Sequence, residues 1–173
     1  MYAELQKSGR FFGRFLDTGG DATGLINANV DGSGTPIDFK VQAGPKQLIL
    51  LHKLIVSVRD NAQFVAQGYG GLPYLDVGIQ IFWKQDAAAP EVDRTDQREI
   101  HCNGCWALYA DDYQVRISAA NDVVHSSMHE FSTPLVIGPG GYYAIRINDN
   151  LSGLTQHYFR VHGMLIELDK DVA

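Results

Sequence analysis

QLILLHKLIVSVRD, residues Gln47 to Asp60, is the most apolar run in the chain, and its reading decides the fold class. Apolar side chains occur on both parities: Leu48, Leu50, Leu54, Val56 and Val58 on one, Ile49, Leu51 and Ile55 on the other. A strand covered on both faces has this pattern. Leu48, Leu51, Ile55 and Val58 also meet helical spacing, so a helix competes. The run Ile55-Val-Ser-Val58 favours the strand, because branching at Cβ restricts χ1 in a helix and suits a pleated surface. His52, inside the run, could act as a ligand or base; the simpler expectation is a neutral core histidine donating to a backbone carbonyl.

Outward from this strand the chain keeps the period of two. On its N-terminal side, Ile37, Phe39 and Val41 alternate with Asp38 and Lys40, and Gly44-Pro45 turns the chain between the two segments. On its C-terminal side, Val77, Ile79, Ile81 and Trp83 share one face, with Gln80 and Phe82 on the other; Phe82 is a candidate to cap a loop or an interface. Further strands are expected at Tyr113 to Ser118, His129 to Ile137, Tyr142 to Asn148 and Tyr158 to Leu168. Ala87-Ala-Ala-Pro90 breaks any strand, and the charged run Glu91 to Arg98 reads as a solvated loop. About eight short strands divided by Gly, Pro, Asn and Asp signals predict an all-β fold, a β-sandwich with jelly-roll connections. Residues 1–16 read as an N-terminal arm and 17–173 as the sandwich domain.

Composition supports one folded domain. At 173 residues the chain is long enough to bury roughly two-thirds of its unfolded surface. Its 45% hydrophobic content excludes a disordered chain. A formal charge of −6 offers no basic footprint for nucleic acid or an anionic membrane, and neither is an expected partner. The opening MYAELQKSGRFFGRFL has no apolar core of signal-peptide length, and no run reaches the roughly 18 apolar residues of a membrane span, so synthesis in the cytoplasm is expected. Two cysteines are too few for a disulfide framework, and stability must come from packing.

Several constellations have residue types that could carry chemistry. Cys102-x2-Cys105 with His125-x3-His129 has the ligand types and local spacings of a zinc site. The gap of 19 residues between the pairs exceeds the usual range of about 12–15, and it contains an expected strand. Asn103-Gly104 explains the cysteine segment more simply as a tight turn, so no metal or other cofactor is expected. Asp17, Asp21 and Asp31 lie in the loop-rich stretch from Asp17 to Gly34 but lack calcium-loop spacing. Ser126-Ser127 sits in no strand-to-helix elbow. Asp111, Asp112, Asp122 and Glu130 could supply carboxylate pairs, as could the acids of any acidic β protein. No catalytic residue stands out, and a non-enzyme is expected.

The remaining candidates concern contacts. Phe11, Phe12 and Phe15, with Arg10 and Arg14 between them, either cover the domain's own core or reach a neighbouring subunit. Tyr69, Tyr74, Trp106, Tyr109, Tyr142 and Tyr143 near loops could stack on sugars or anchor a protein interface. Phe11, Phe12, Phe15, Phe82 and Trp106 are the expected interface residues.

Three blocks carry a resemblance. Arg14-Phe-Leu-Asp-Thr-Gly-Gly-Asp-Ala-Thr-Gly24, followed by Asn27-Ala-Asn-Val-Asp-Gly-Ser33 and Thr35-Pro-Ile-Asp-Phe39, resembles the opening of small virion structural proteins of tailed bacteriophages. Leu54-Ile-Val-Ser-Val-Arg-Asp60 resembles them too, as does Asn148-Asp-Asn-Leu-Ser-Gly-Leu154 leading to His157-Tyr-Phe-Arg-Val-His-Gly163. The Cys102/Cys105 pair departs from the pattern. The resemblance implies a non-enzymatic protein of the virion that works through contacts with other virion proteins of capsid or tail. On that basis a capsid decoration or cement protein is expected, forming a homo-oligomer, most simply a trimer. A neck, tail or baseplate component is the alternative within the virion, and a carbohydrate-binding module for host attachment is the alternative outside that class.

Overall fold

The segment 47–60 is a single strand, β3 (Gln47–Asp60), the middle member of a five-stranded antiparallel sheet. The computed structural model describes residues 9–16, 30–60, 77, 79–93, 114–117, 123–153 and 156–168, and among these there is no helix. The other strands are β1 (Arg10–Phe15), β2 (Ile37–Gln42), β4 (Ile79–Lys84), β5 (Glu91–Asp93), β6 (Gln114–Ile117), β7 (Val123–Ile137), β8 (Tyr142–Ile147) and β9 (Gln156–Glu167). One sheet runs β1-β9-β3-β7-β6 and the other β2-β8-β4-β5. Consecutive strands pass from sheet to sheet except at β4 to β5 and β6 to β7. Setting aside the edge strand β6, this is jelly-roll connectivity. The β-sandwich expected from the sequence is therefore what the chain forms.

The two apolar parities of β3 have two causes. The first is a β-bulge at His52. Leu51 pairs with Gly163 of β9 and Lys53 with His162, leaving His52 as an extra residue. An extra residue in one strand resets the alternation. Ile49 and Leu51 enter the core before the bulge, and Leu54, Val56 and Val58 enter it after. The second is a small cluster on the opposite face, where Leu50, Met164 and Ile166 are buried with Leu48 and Val136 packed against them.

The bulge is wider on the other side of β3. Leu51 pairs with Leu135 and Lys53 with Glu130, so Phe131 to Pro134 lie opposite His52. Proline has no amide to give a ladder and is tolerated at such an irregularity. Phe131 packs against the core there, its ring edge-on to Tyr143 at 6.0 Å.

The main core lies between the sheets. Phe39, Val41, Ile79, Ile81, Ile145 and Ile147 meet Leu54, Val56, Phe159 and Val161. Phe39 and Phe159 stack edge to face at 5.1 Å, an arrangement that aromatic quadrupoles favour. Trp83 packs against this core and donates its indole N–H to the Val136 carbonyl, which ties the sheets together at one end.

Two segments differ from expectation. Arg10–Phe15, read as part of an arm, is a strand in antiparallel register with β9, from Arg10 opposite Leu165 to Phe15 opposite Arg160. Glu91–Asp93, read as solvated loop, is the edge strand β5 beside β4. Both are edge strands carrying charged residues, which sequence alternation alone describes poorly.

Candidate functional site

The outer face of the β2-β8-β4-β5 sheet is covered by a polar network centred on Arg146. Its guanidinium makes a two-point ion pair with Asp38, Nε to Oδ1 at 2.7 Å and Nη2 to Oδ2 at 2.9 Å. It also lies 3.6 Å from Glu91 and stacks over the Phe82 ring at 4.0 Å. Such forked pairs and cation–π contacts suit arginine's planar group. The Tyr142 hydroxyl donates to Glu91; burial first, and then that carboxylate, push the phenol up to about 12. Phe82, expected at an interface, is thus the platform for Arg146 in the chain's own surface. Tyr142 belongs to the same network, and Tyr143 is buried in the core. Neither offers a free ring to a sugar.

The other sheet presents its edge. β1 has one strand neighbour among the described residues, β9. Arg10, Phe11, Gly13 and Arg14 are exposed, Phe11 at 78%. Arg10, Phe12, Arg14 and Leu16 share the face opposite to Phe11 and Gly13: Phe12 packs against the core, Leu16 lies buried within it, and the Arg14 guanidinium lies 5.8 Å from the Phe12 ring. The aromatic run therefore divides its work: one ring holds the edge to the domain and one is left outside. For Phe15 the structure describes the backbone only.

Behind Phe11 an open groove of about 330 Å³ is lined by Phe11, Phe12, Gly13, His52, His162 and Gly163. The bulge brings His52 into it, with the imidazole 6.4 Å from the Phe11 ring. His52 is therefore a half-buried residue on the outer face and not a core histidine. The Nε2 atoms of His52 and His162 are shielded from solvent and have no hydrogen-bond partner among the described residues. Burial, then Arg160 and Lys53 nearby, hold the His162 imidazole below its usual pKa. Lys53 in turn binds Glu130 at 2.8 Å, which lowers that carboxyl.

This sets a pH dependence. Protonating His162 is harder in the folded chain than in the unfolded one. Its contribution is favourable above about pH 6.5 and is lost as pH falls below that value, where the unfolded chain takes up the proton more readily. The thermal midpoint of the wild type is expected to fall more between about pH 7 and pH 5 than that of His162→Gln. Equal falls would remove His162 as a source of acid sensitivity.

Cys102, Cys105, Trp106, Tyr69, Tyr74, Tyr109, Asp17, Asp21, Asp111, Asp112 and Asp122 lie outside the described residues. His125 and His129 sit in β7, opposite Val58 and Leu54 in an unbroken stretch of register. A spacing of four that joins two imidazoles on a helix leaves their Cα atoms about 13 Å apart along a strand. Among the described residues no three His, Cys, Asp or Glu side chains gather as they would around a metal ion. Asp31 accepts hydrogen bonds from the Ser33 amide and hydroxyl, an ordinary turn. Glu130 is committed to Lys53.

Gly13, Arg160 and His162 were missed from the sequence. The available signal was the glycine itself, a gap inside the aromatic-basic run RFFGRF. Comparison of the sequence with protein-family models and with curated proteins gives no match.

Proposed function

We propose that the chain is a non-enzymatic structural protein of a bacteriophage virion, of the capsid decoration or cement type, that stabilises the particle through protein contacts. It acts as a homo-oligomer, trimeric in the simplest arrangement, bound to other virion proteins. The observation that carries this reading is the edge strand β1, which leaves Phe11 78% exposed between two exposed arginines. A large ring held outside the core on a strand with a single neighbour among the described residues is a contact open to a partner. The resemblance of the opening, central and closing blocks to small phage virion proteins supplies the class of partner. A polar, internally satisfied outer face on the second sheet agrees with a subunit that attaches by one side.

Deleting residues 1–16 would not test this cleanly, because Phe12 and Leu16 belong to the core. The Phe11→Ser variant does. It is expected to keep the thermal midpoint of the wild type within about 2 °C, since surface changes cost little. It is also expected to be lost from particles of the phage that encodes it, as measured by mass spectrometry of purified virions. Absence of the wild-type chain from those particles, with a monomer in sedimentation at high concentration, would sink the proposal.

A further inference from the structure

In the register of β1 and β9 Gly13 lies opposite His162, which on its other side faces Lys53 of β3. The place a Cβ would take at Gly13 is already filled: Nδ1 and Cε1 of His162 lie 3.0 and 3.1 Å from it, and Nη2 of Arg160 3.1 Å. Two β9 side chains thus fold over β1 at its one residue without a side chain, with Nδ1 and Nη2 at most about 6.1 Å apart.

An imidazole held there takes up a proton at a cost. The imidazolium carries N–H on both ring nitrogens, and each needs an acceptor. Nε2 of His162 is shielded from solvent and has no hydrogen-bond partner, and the same holds for Nε2 of His52, the other imidazole of the groove. Among the described residues, the charged and titratable groups on this face are Arg160 on the same strand, His52 and Lys53 on β3, and Glu130 on β7 beyond them. β1 turns Phe11 and Gly13 to this face and its two arginines to the other. Glu130 is taken by Lys53 at 2.8 Å, and no carboxylate among the described residues lines the groove. Burial, then Arg160 and Lys53, keep the imidazole neutral near pH 7.

We propose that His162 makes β1 an acid-released latch: uptake of a proton lifts Arg10–Phe15 from β9 while the rest of the sandwich stays folded.

The strand is suited to leave first. It has one strand neighbour among the described residues and a glycine in its interior, which weakens a strand. Its Arg10–Glu167 ion pair, at 3.7 Å, is exposed and therefore weak. Phe12, packed against the core, opposes release. Just past the strand Leu16 is buried and its amide is held by the Phe159 carbonyl, so β1 swings from a fixed end. Lifting it takes Phe11 and Gly13 off the imidazole and opens the ring to water. The open form then binds the proton more readily, so opening is favoured as pH falls below about 6.5. For one imidazole with its ordinary pKa when open, and neutral when closed, the opening constant rises by up to about 25-fold from pH 7 to pH 5. The Lys53–Glu130 pair does not act in this window, because Lys53 holds the carboxyl below its ordinary 4.5. The latch is a property of the chain itself and does not depend on the virion reading.

Hydrogen exchange of the purified full chain, followed by NMR, tests it. The Leu16 amide bonds to β9, and alternation along the strand directs the Phe12 and Arg14 amides to β9 as well. After correction for intrinsic rates, their protection is expected to fall about tenfold from pH 7 to pH 5. At pH 5 their exchange should be insensitive to low urea, as in a local opening, whereas Ala144 and Arg146 of β8 exchange with the steep urea dependence of global unfolding. His162→Gln, which keeps a polar side chain without the proton uptake, should show a fall of less than about threefold. Its circular dichroism at pH 7 reports whether it folds. Arg160→Gln is the second variant: with one facing cation removed the imidazole charges more easily in the closed form, and the fall should be smaller than in the wild type. A wild-type fall below about threefold would overturn the proposal and mean that the imidazole charges with β1 in place. The same fall in both variants as in the wild type would overturn it too. Equal protection and equal urea dependence of the β1 and β8 amides at pH 5 would show that acid loosens the whole sandwich, and would overturn the latch likewise.

Discussion

Phe159→Ala is expected to cost about 3–5 kcal/mol of folding stability, the scale of removing a buried aromatic side chain from a packed core. Phe159 is 2% exposed on β9, between the strands β1 and β3. Its ring meets Phe39 of the opposite sheet at 5.1 Å and His157 at 4.9 Å, so it is one of the contacts that hold the two sheets together. Its backbone carbonyl accepts the Leu16 amide, which anchors the chain just past β1. The cavity would therefore open at the junction of both sheets and the edge strand, where backbone on three sides limits collapse. Denaturant titration measures the loss, and Phe159→Leu should recover more than half of it. A change below about 1 kcal/mol in Phe159→Ala would mean that the sheets are held together elsewhere.

Gly163→Ala is expected to cost about 1–3 kcal/mol by overpacking, although it adds a single methyl group. The new Cβ would lie 2.5 Å from the Leu50 carbonyl oxygen and 3.2 Å from Cζ of Phe12. The ring could swing aside; the carbonyl belongs to the central strand next to the bulge, so β3 or β9 would have to move. The same displacement would disturb the groove, because Gly163 lines it with Phe12 and His52. The signature is a stability loss in denaturant titration, accompanied by a change in the environment of the groove's two histidines. Gly34→Ala, where a Cβ meets nothing within 4 Å, is the control and should be near neutral. Equal stabilities for the two variants would show that β9 has slack at Gly163.

These positions also show what the sequence could and could not reveal. The bounds of β3 were legible to the residue, because an apolar, β-branched run between Pro45-Lys46 and Asp60-Asn61 has few other readings. The faces of β2 and β4 were legible from Phe39/Val41 and Ile79/Ile81, where one side is core and the other solvent. The bulge was not. Leu51-His-Lys-Leu54 states it as two successive polar residues, but the same letters describe a strand covered on both faces, and the outward cluster around Leu50 and Met164 makes that reading partly true. The alternation predicts a start of β7 at His129, yet the strand begins at Val123, because VVHSSMH lacks the alternation that marks a half-buried strand. The candidate site was legible only in its aromatics. Gly13 and His162 are 149 positions apart, a distance in sequence that only the β1–β9 pairing removes.

That pairing governs when the groove behind Phe11 can exist. Among the described strands β1 is the first and its partner β9 the last, and their pairing runs as far as Arg10 opposite Leu165. Pairings between such distant segments form slowly, since a long loop must close before any contact rewards it. The 149 positions from Gly13 to His162 must all be synthesised before the two can pair. A chain that ends before β9 carries the RFFGRF segment without the strand it pairs with, so the groove lined by Phe11, His52 and His162 arrives only with that late pairing.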